Sequence, residues 1–232
     1  YFGDGIYEVF RIYNGLIYEK EAHLNRLDRS AKGIRLDLPY TLEEIGQMCD
    51  KLISYNKLDE GMLYMQVTRG IAPRNHLFPE HASPTLLAYC SKLSRSDAAM
   101  ENGITAITSP DVRWLRCDLK TLNLLPNTLA KQHAIDEDAD ETIFHRDGIV
   151  TECSASNIMI VKNGQLHTHP ANHLILHGIT REVTIRLARN LGFPVHEKPF
   201  DLALLKSADE VFITGTTVEI TPVIKIDGAA VG

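Results

Sequence analysis

The chain has 232 residues, 44% hydrophobic, 23% charged and 7% aromatic, enough for one large domain or two small ones with most apolar surface buried. Its 24 basic and 30 acidic residues leave a net charge of −6, which argues against a broad electrostatic grip on nucleic acid. No apolar run is long enough to span a bilayer, so no membrane partner is expected.

Cys49, Cys90, Cys117 and Cys153 stand far apart, with no Cys-x-x-Cys pair. Neither a zinc knuckle nor a disulfide framework follows, and a reducing cytoplasm is expected. The opening Tyr1-Phe2-Gly3-Asp4-Gly5 is already strand-like and no basic-plus-apolar leader precedes it, so the expectation is a trimmed piece of a longer chain.

Ile6 to Tyr13 is rich in β-branched and aromatic residues, and Leu16 to Tyr18 follows across Asn14-Gly15, a strong hairpin signal. Thr41-Leu42-Glu43-Glu44 has the capping-box pattern, opening a helix whose apolar face carries Ile45, Cys49, Leu52 and Ile53. Strands are expected at Met62–Thr68 and Thr85–Tyr89. The polar stretch from Ser91 to Asn102 marks a boundary between domains 1–95 and 96–232. Beyond it the pattern gives a strand at Ile104–Thr108, a helix after Leu122, and strands at Thr142–His145 and Ser156–Val161, the latter ending at Asn163-Gly164. A helix follows at Arg181–Asn190, then strands at Val211–Thr214 and Val223–Ile226. Hairpins outnumber helices and no βαβ alternation emerges, so the expected fold class is α+β.

Four places could carry chemistry. Gly178-Ile179-Thr180-Arg181 enters an amphipathic helix, whose first N–H groups suit a phosphate, although Thr180 could simply cap the helix. Thr214-Gly215-Thr216-Thr217 after an apolar strand could wrap an anion or merely turn the chain. Lys120 precedes a helix, and a desolvated lysine amine can serve Schiff-base chemistry; most lysines are simply solvated. Arg74-Asn75-His76 could hold a carboxylate or be an ordinary basic loop. A rival group is His167, His169, His173 and His177. His173 and His177 would share a helical face as a metal pair, but Pro170 and Gly178 disfavour a helix there and no acidic ligand accompanies them, so no metal is expected.

Taken together, these residues resemble a known family. Phe2-Gly3-Asp4-Gly5-Ile6-Tyr7-Glu8, His23-Leu24-Asn25-Arg26-Leu27, Lys120-Thr121-Leu122-Asn123, Thr151-Glu152-Cys153-Ser154-Ala155-Ser156-Asn157, Gly178-Ile179-Thr180-Arg181 and Thr216-Thr217-Val218-Glu219-Ile220-Thr221-Pro222 occur in the order seen in fold-type-IV pyridoxal-phosphate aminotransferases. They run through practically the whole chain. Within that family the Arg74-x-His76 loop, with Tyr7, most resembles the D-amino-acid transaminases. Cys153 and Ala155 interrupt a segment that is more uniformly serine in those enzymes, and Val218 replaces a more polar residue. Hydrogen bonding beside the cofactor, and with it rate and side-reactions, is therefore expected to differ from those enzymes, with the reaction type unchanged.

The resemblance implies a two-domain architecture, with a small N-terminal domain that carries the substrate-carboxylate loop and a larger, β-rich cofactor domain. It implies transamination between a D-amino acid such as D-alanine and a 2-oxo acid such as 2-oxoglutarate, with pyridoxal 5'-phosphate as cofactor. Lys120 would be the catalytic residue. Arg26, Glu152, Leu176, Ile179, Thr180 and Thr216 would bind the cofactor, with Glu152 facing the pyridine nitrogen. Tyr7, Arg74 and His76 would bind the substrate carboxylate, the loop reaching in from the partner subunit of a homodimer. The alternatives are a branched-chain L-amino-acid or (R)-amine transaminase of the same fold, a non-catalytic cofactor binder, and a metal-dependent hydrolase built on the histidines.

Overall fold

A computed structural model describes residues 2–232. The chain divides into two compact units, one running to Ser94 and including Leu119–Asn123, the other comprising Arg95–Asp118 and Leu124–Gly232. Of the opening segment expected as strand, Tyr1 lies outside the described residues and Phe2–Asp4 are not strand.

The first unit contains β1 (Gly5–Tyr13), β2 (Leu16–Ile17), α1 (Lys20–Gly33), α2 (Leu42–Asn56), β3 (Gly61–Thr68) and β4 (Thr85–Lys92), with the sheet ordered β2-β1-β3-β4 and antiparallel throughout. Asn14 and Gly15 both have positive φ, 51° and 73°, as a type I′ turn requires, and Tyr13 pairs with Leu16 across it. At the start of α2 the Thr41 hydroxyl accepts from Glu44 N–H at 3.2 Å, and the Glu44 carboxylate accepts from Thr41 N–H at 2.9 Å.

Alternation along the strands puts Ile6, Phe10, Ile12, Leu63, Met65 and Val67 into one core with Leu24, Leu27 and Ala31 of α1 and Ile45, Cys49 and Ile53 of α2. Sequence periodicity passes over α1, because its buried face mixes those apolar residues with His23, Arg26 and Ser30.

Leu119–Asn123 runs beside β1. Tyr7 N–H donates to the Lys120 carbonyl and Leu122 N–H to the Gly5 carbonyl, both at 3.0 Å, around an antiparallel bridge between Ile6 and Thr121. This pairing places Lys120 in the first unit, whereas the sequence boundary had assigned it to the second domain.

The second unit contains α3 (Asp97–Asn102), β5 (Ile104–Pro110), α4 (Leu125–Asp136), β6 (Glu141–Arg146), β7 (Ile149–Cys153), β8 (Asn157–Lys162), β9 (Gln165–Thr168), α5 (Ile179–Asn190), β10 (Val195–Glu197), α6 (Leu202–Lys206), β11 (Glu210–Gly215), β12 (Glu219–Ile226) and β13 (Ala229–Ala230). Its mixed sheet is ordered β10-β9-β8-β11-β12-β5-β6-β7, with β13 against β12. Ile143, Val150, Ile158, Ile160, Val211, Ile213 and Val223 build the core, joined by Phe200 and Leu205. The stretch expected to be irregular before Asn102 holds the end of β4 and the short α3. The fold class is α+β.

Candidate active site

In the first unit, Lys120 Nζ lies 4.1 Å above the Tyr7 ring. Tyr7 stacks on Tyr64, which stacks on Tyr89, at centroid distances of 5.8 and 5.2 Å. Lys120 N–H donates to the Ser30 hydroxyl at 3.1 Å, tying the lysine's backbone to α1. Arg26 is buried on the same helix. Its Nε and Nη2 donate to the two oxygens of Glu8, each at 2.8 Å, and His23 Nδ1 lies 2.8 Å from Glu8 Oε2.

Glu8 sits on the core face of β1 with no exposed surface. Burial raises its pKa, but the charge of Arg26 and the hydrogen bonds of Arg26 and His23 outweigh this and hold the carboxyl at about 2. Burial in turn pushes the His23 imidazole below its ordinary value despite Glu8, leaving it neutral at pH 7. Arg74 and His76 are exposed on the loop between β3 and β4 and bracket the Phe2 ring: the Arg74 guanidinium is 5.2 Å from its centroid and the His76 ring 5.4 Å.

In the second unit, Glu152 is buried on β7 and its carboxylate accepts three hydrogen bonds: from Arg113 Nη1 at 2.5 Å, Asn157 Nδ2 at 2.9 Å and Leu176 N–H at 3.0 Å. Burial pushes this carboxyl above its ordinary value, opposed by the charge and hydrogen bond of Arg113 and by the Leu176 N–H. Asn157 Nδ2 also donates to the Leu176 carbonyl at 2.9 Å, so the Leu176 backbone is held beside Glu152.

Gly178 is the residue before α5, and no side chain caps the helix. Thr180 lies inside the first turn, so the capping role open to it in the sequence is not the one it takes. The helix therefore starts with backbone donors unclaimed by any cap, and Ile179 and Thr180 supply two of them. Thr216 follows β11 in the turn before β12, half-buried. Nearby on β11, Thr214 Oγ1 is buried and has no hydrogen-bond partner among the described residues.

Ser154 and Ser156 donate their hydroxyls to the buried Glu141, and Cys153 packs in the core. His167 stacks on His196, His169 Nδ1 lies 2.8 Å from the Val150 carbonyl, and His177 Nε2 lies 3.1 Å from the Asn172 carbonyl. Residues 169–178 form no helix, so His173 and His177 do not share a helical face.

Several residues around these groups carry no role in the sequence reading: Glu8, His23, Ser30, Arg113, Asp111 and Asn157. One signal was available for the first. Glu8 breaks an apolar alternation at Ile6, Phe10 and Ile12, and a carboxylate on a core face requires a cation opposite it.

The donor set fits pyridoxal phosphate. An uncapped helix start suits a phosphate, a multiply hydrogen-bonded carboxylate suits a protonated ring nitrogen, and a buried orphan hydroxyl awaits a partner. Gly178 leaves no room for a side chain: an added Cβ would stand 2.0 Å from Asn157 Oδ1.

The class-IV amino-transferase family matches residues 5–226. The chain is 50% identical to a D-alanine aminotransferase from Listeria monocytogenes over 233 aligned positions, covering 99% of this chain and 81% of that protein. Among solved structures, the branched-chain amino acid aminotransferase of Escherichia coli superposes with a TM-score of 0.94 at 28% identity, covering 100% of this chain and 80% of the other. A hypothetical aminotransferase from Mycobacterium tuberculosis, in a pyridoxal-phosphate-bound form, gives 0.87 at 25% identity, covering 99% and 84%. With the family matched over nearly its whole length, the chain belongs to the class-IV aminotransferases, pyridoxal-phosphate enzymes of fold type IV.

Proposed function

We propose that this enzyme exchanges the amino group between a D-amino acid, with D-alanine as a donor, and a 2-oxo acid such as 2-oxoglutarate. The observation that carries this reading is the shared identity: half the residues along nearly the whole chain match a D-alanine aminotransferase, against 28% for the branched-chain enzyme with the same fold. The Arg74-x-His76 loop supplies the matching chemistry, a guanidinium fork and an imidazole two residues apart and exposed to solvent.

Bound pyridoxal phosphate supplies an electron-accepting ring that lets the α-proton of the amino acid leave and return. The chain's own residues do the rest. Lys120 Nζ is the attachment point and then the base that moves the proton at Cα. Glu152 keeps the ring nitrogen protonated, with Leu176 beside it. Arg26, the Ile179 and Thr180 amides and Thr216 hold the phosphate. Tyr7, Arg74 and His76 take the substrate carboxylate and fix its orientation, so that only a D-enantiomer presents its α-hydrogen to Lys120.

The working form is a homodimer in which the Arg74 loop serves the partner subunit's site, an arrangement that two-fold symmetry completes twice. No helix among the described residues is long and apolar enough to cross a membrane, and all four cysteines are free thiols. Both features support a cytoplasmic enzyme.

A single-turnover experiment tests the reading. Protein loaded with pyridoxal phosphate should lose its visible absorption on addition of D-alanine without acceptor and keep it with L-alanine. Lys120→Ala should lack the band altogether. A band that responds to L-leucine and not to D-alanine would favour the branched-chain alternative.

A further inference from the structure

Behind Glu152 lies a row of charges, buried except for the partly open Arg146, that the roles given above leave unused. Arg113, which donates to Glu152, is itself gripped by Asp111: Nε reaches Oδ1 at 2.9 Å and Nη2 reaches Oδ2 at 2.8 Å. The Asp111 side chain is wholly buried. It accepts in addition from Arg113 N–H at 3.1 Å, Arg146 Nε at 3.1 Å and the Thr151 hydroxyl at 3.0 Å. Arg113 Nη2 also points to the Leu174 carbonyl at 3.4 Å, and its guanidinium lies 4.7 Å over the Phe144 ring. The result is an alternating series, Arg146, Asp111, Arg113, Glu152, in which Asp111 lies between two cations and Glu152 ends the row against Arg113 alone. The Cys117 thiol, also close, is pushed up to about 11 by burial and is uncharged at neutral pH.

An isolated Arg113–Glu152 pair would spend Glu152's charge on the guanidinium. A second carboxylate on the far side of Arg113 shares that cation and leaves Glu152 with net attraction for one more proton-bearing group. Two-point contact also fixes the guanidinium plane, so that Nη1 alone points at Glu152.

We propose that Asp111 is a positioning residue which, through Arg113, sets how tightly Glu152 holds the proton on the cofactor's ring nitrogen, with Arg146 opposing it. The proposal rests on Glu152 facing that nitrogen.

The sign of each substitution follows from charge alone. Asp111→Asn keeps the shape but removes a negative charge, so the ring nitrogen should release its proton at lower pH. Arg146→Gln removes a positive charge on the other side of Asp111, so the nitrogen should hold its proton to higher pH. Each change should be on the order of tenfold in proton affinity, as expected for a single charge a few residues away in a buried setting.

The experiment reconstitutes each variant with cofactor carrying a nitrogen-15 label in the ring and follows that resonance against pH. Glu152→Gln is the control for the underlying reading: if it leaves the resonance unmoved, Glu152 does not face the nitrogen and that reading fails first. If Glu152→Gln moves it while Asp111→Asn does not shift it to lower pH or Arg146→Gln does not shift it to higher pH, the relay is wrong and Glu152's role stands. A shift to lower pH in Asp111→Asn together with a shift to higher pH in Arg146→Gln would establish the relay, since loss of packing alone gives no reason for opposite signs. Should Asp111→Asn not fold, Arg146→Gln decides alone, because Arg146 is partly exposed, with 20% of its side chain open, and its upward shift is required.

Discussion

Glu8 is the residue on which the first unit's polar interior turns. It occupies a core position of β1 and is the shared acceptor for Arg26 and His23 of α1. Glu8→Gln would leave a buried guanidinium without its counter-charge, which costs about 3–5 kcal/mol. Urea unfolding should register a loss of that order, with apo and cofactor-loaded protein both affected. The pH dependence follows from two groups. The Glu8 carboxyl sits at about 2 when folded and near 4.5 in an open chain, so its stabilisation is complete above 4.5 and disappears as pH falls toward 2. The folded imidazole of His23 lies below 6.5, so as pH drops past 6.5 the unfolded chain binds the proton first and stability declines. In His23→Gln that earlier slope should flatten while the lower one stays. An unchanged slope between pH 6.5 and 5 would assign it to another histidine.

Two close approaches at the level of elements govern where the functional side chains sit. Gly33 ends α1 against Leu119, and an added Cβ would fall 2.4 Å from Leu119 Cδ2. Gly33→Ala gains helix propensity but overpacks this contact, for a net loss of up to about 2 kcal/mol. It should also shift the adjacent Lys120, visible as slower attachment of cofactor in stopped-flow absorbance. Gly178→Ala acts in the other unit, where the new Cβ would drive Asn157 off Glu152 and the Leu176 carbonyl. Cofactor affinity should fall at least about tenfold, measured by equilibrium dialysis, with little change in melting temperature.

The same scale explains what the sequence could and could not disclose. Asn14-Gly15 was legible as a hairpin because flanking apolar runs made its meaning plain. Asp147-Gly148 makes an equivalent turn, with φ of 49° and 82°, yet β7 behind it went unread because Thr151 and Glu152 dilute its apolar character. That strand carries Glu152, so polar residues placed for chemistry hid the element that holds them. The same holds for α1, where His23, Arg26 and Ser30 obscure the helical stripe.

For the molecule as a whole, the motifs that identify the family were legible because their order along the chain is itself information; the buried networks behind them were not. Arg113 stands 39 residues before Glu152, with Asp111 two residues further back, in a stretch with no pattern, and only the folding of β5, β6 and β7 into neighbouring strands brings them together. The dimer carries a separate prediction. Arg74→Ala and Lys120→Ala proteins, each inactive alone, should regain partial activity when subunits exchange, because one mixed site is then intact. Verified heterodimers as inactive as their parents would mean that the loop serves its own subunit. Initial rates with 2-oxoglutarate across D-alanine, L-alanine, L-leucine and a simple chiral amine decide whether the donor is a D-amino acid. D-Alanine should be the one donor of the four to support sustained turnover, with its rate falling steeply in Arg74→Ala; turnover with L-leucine and none with D-alanine would contradict it.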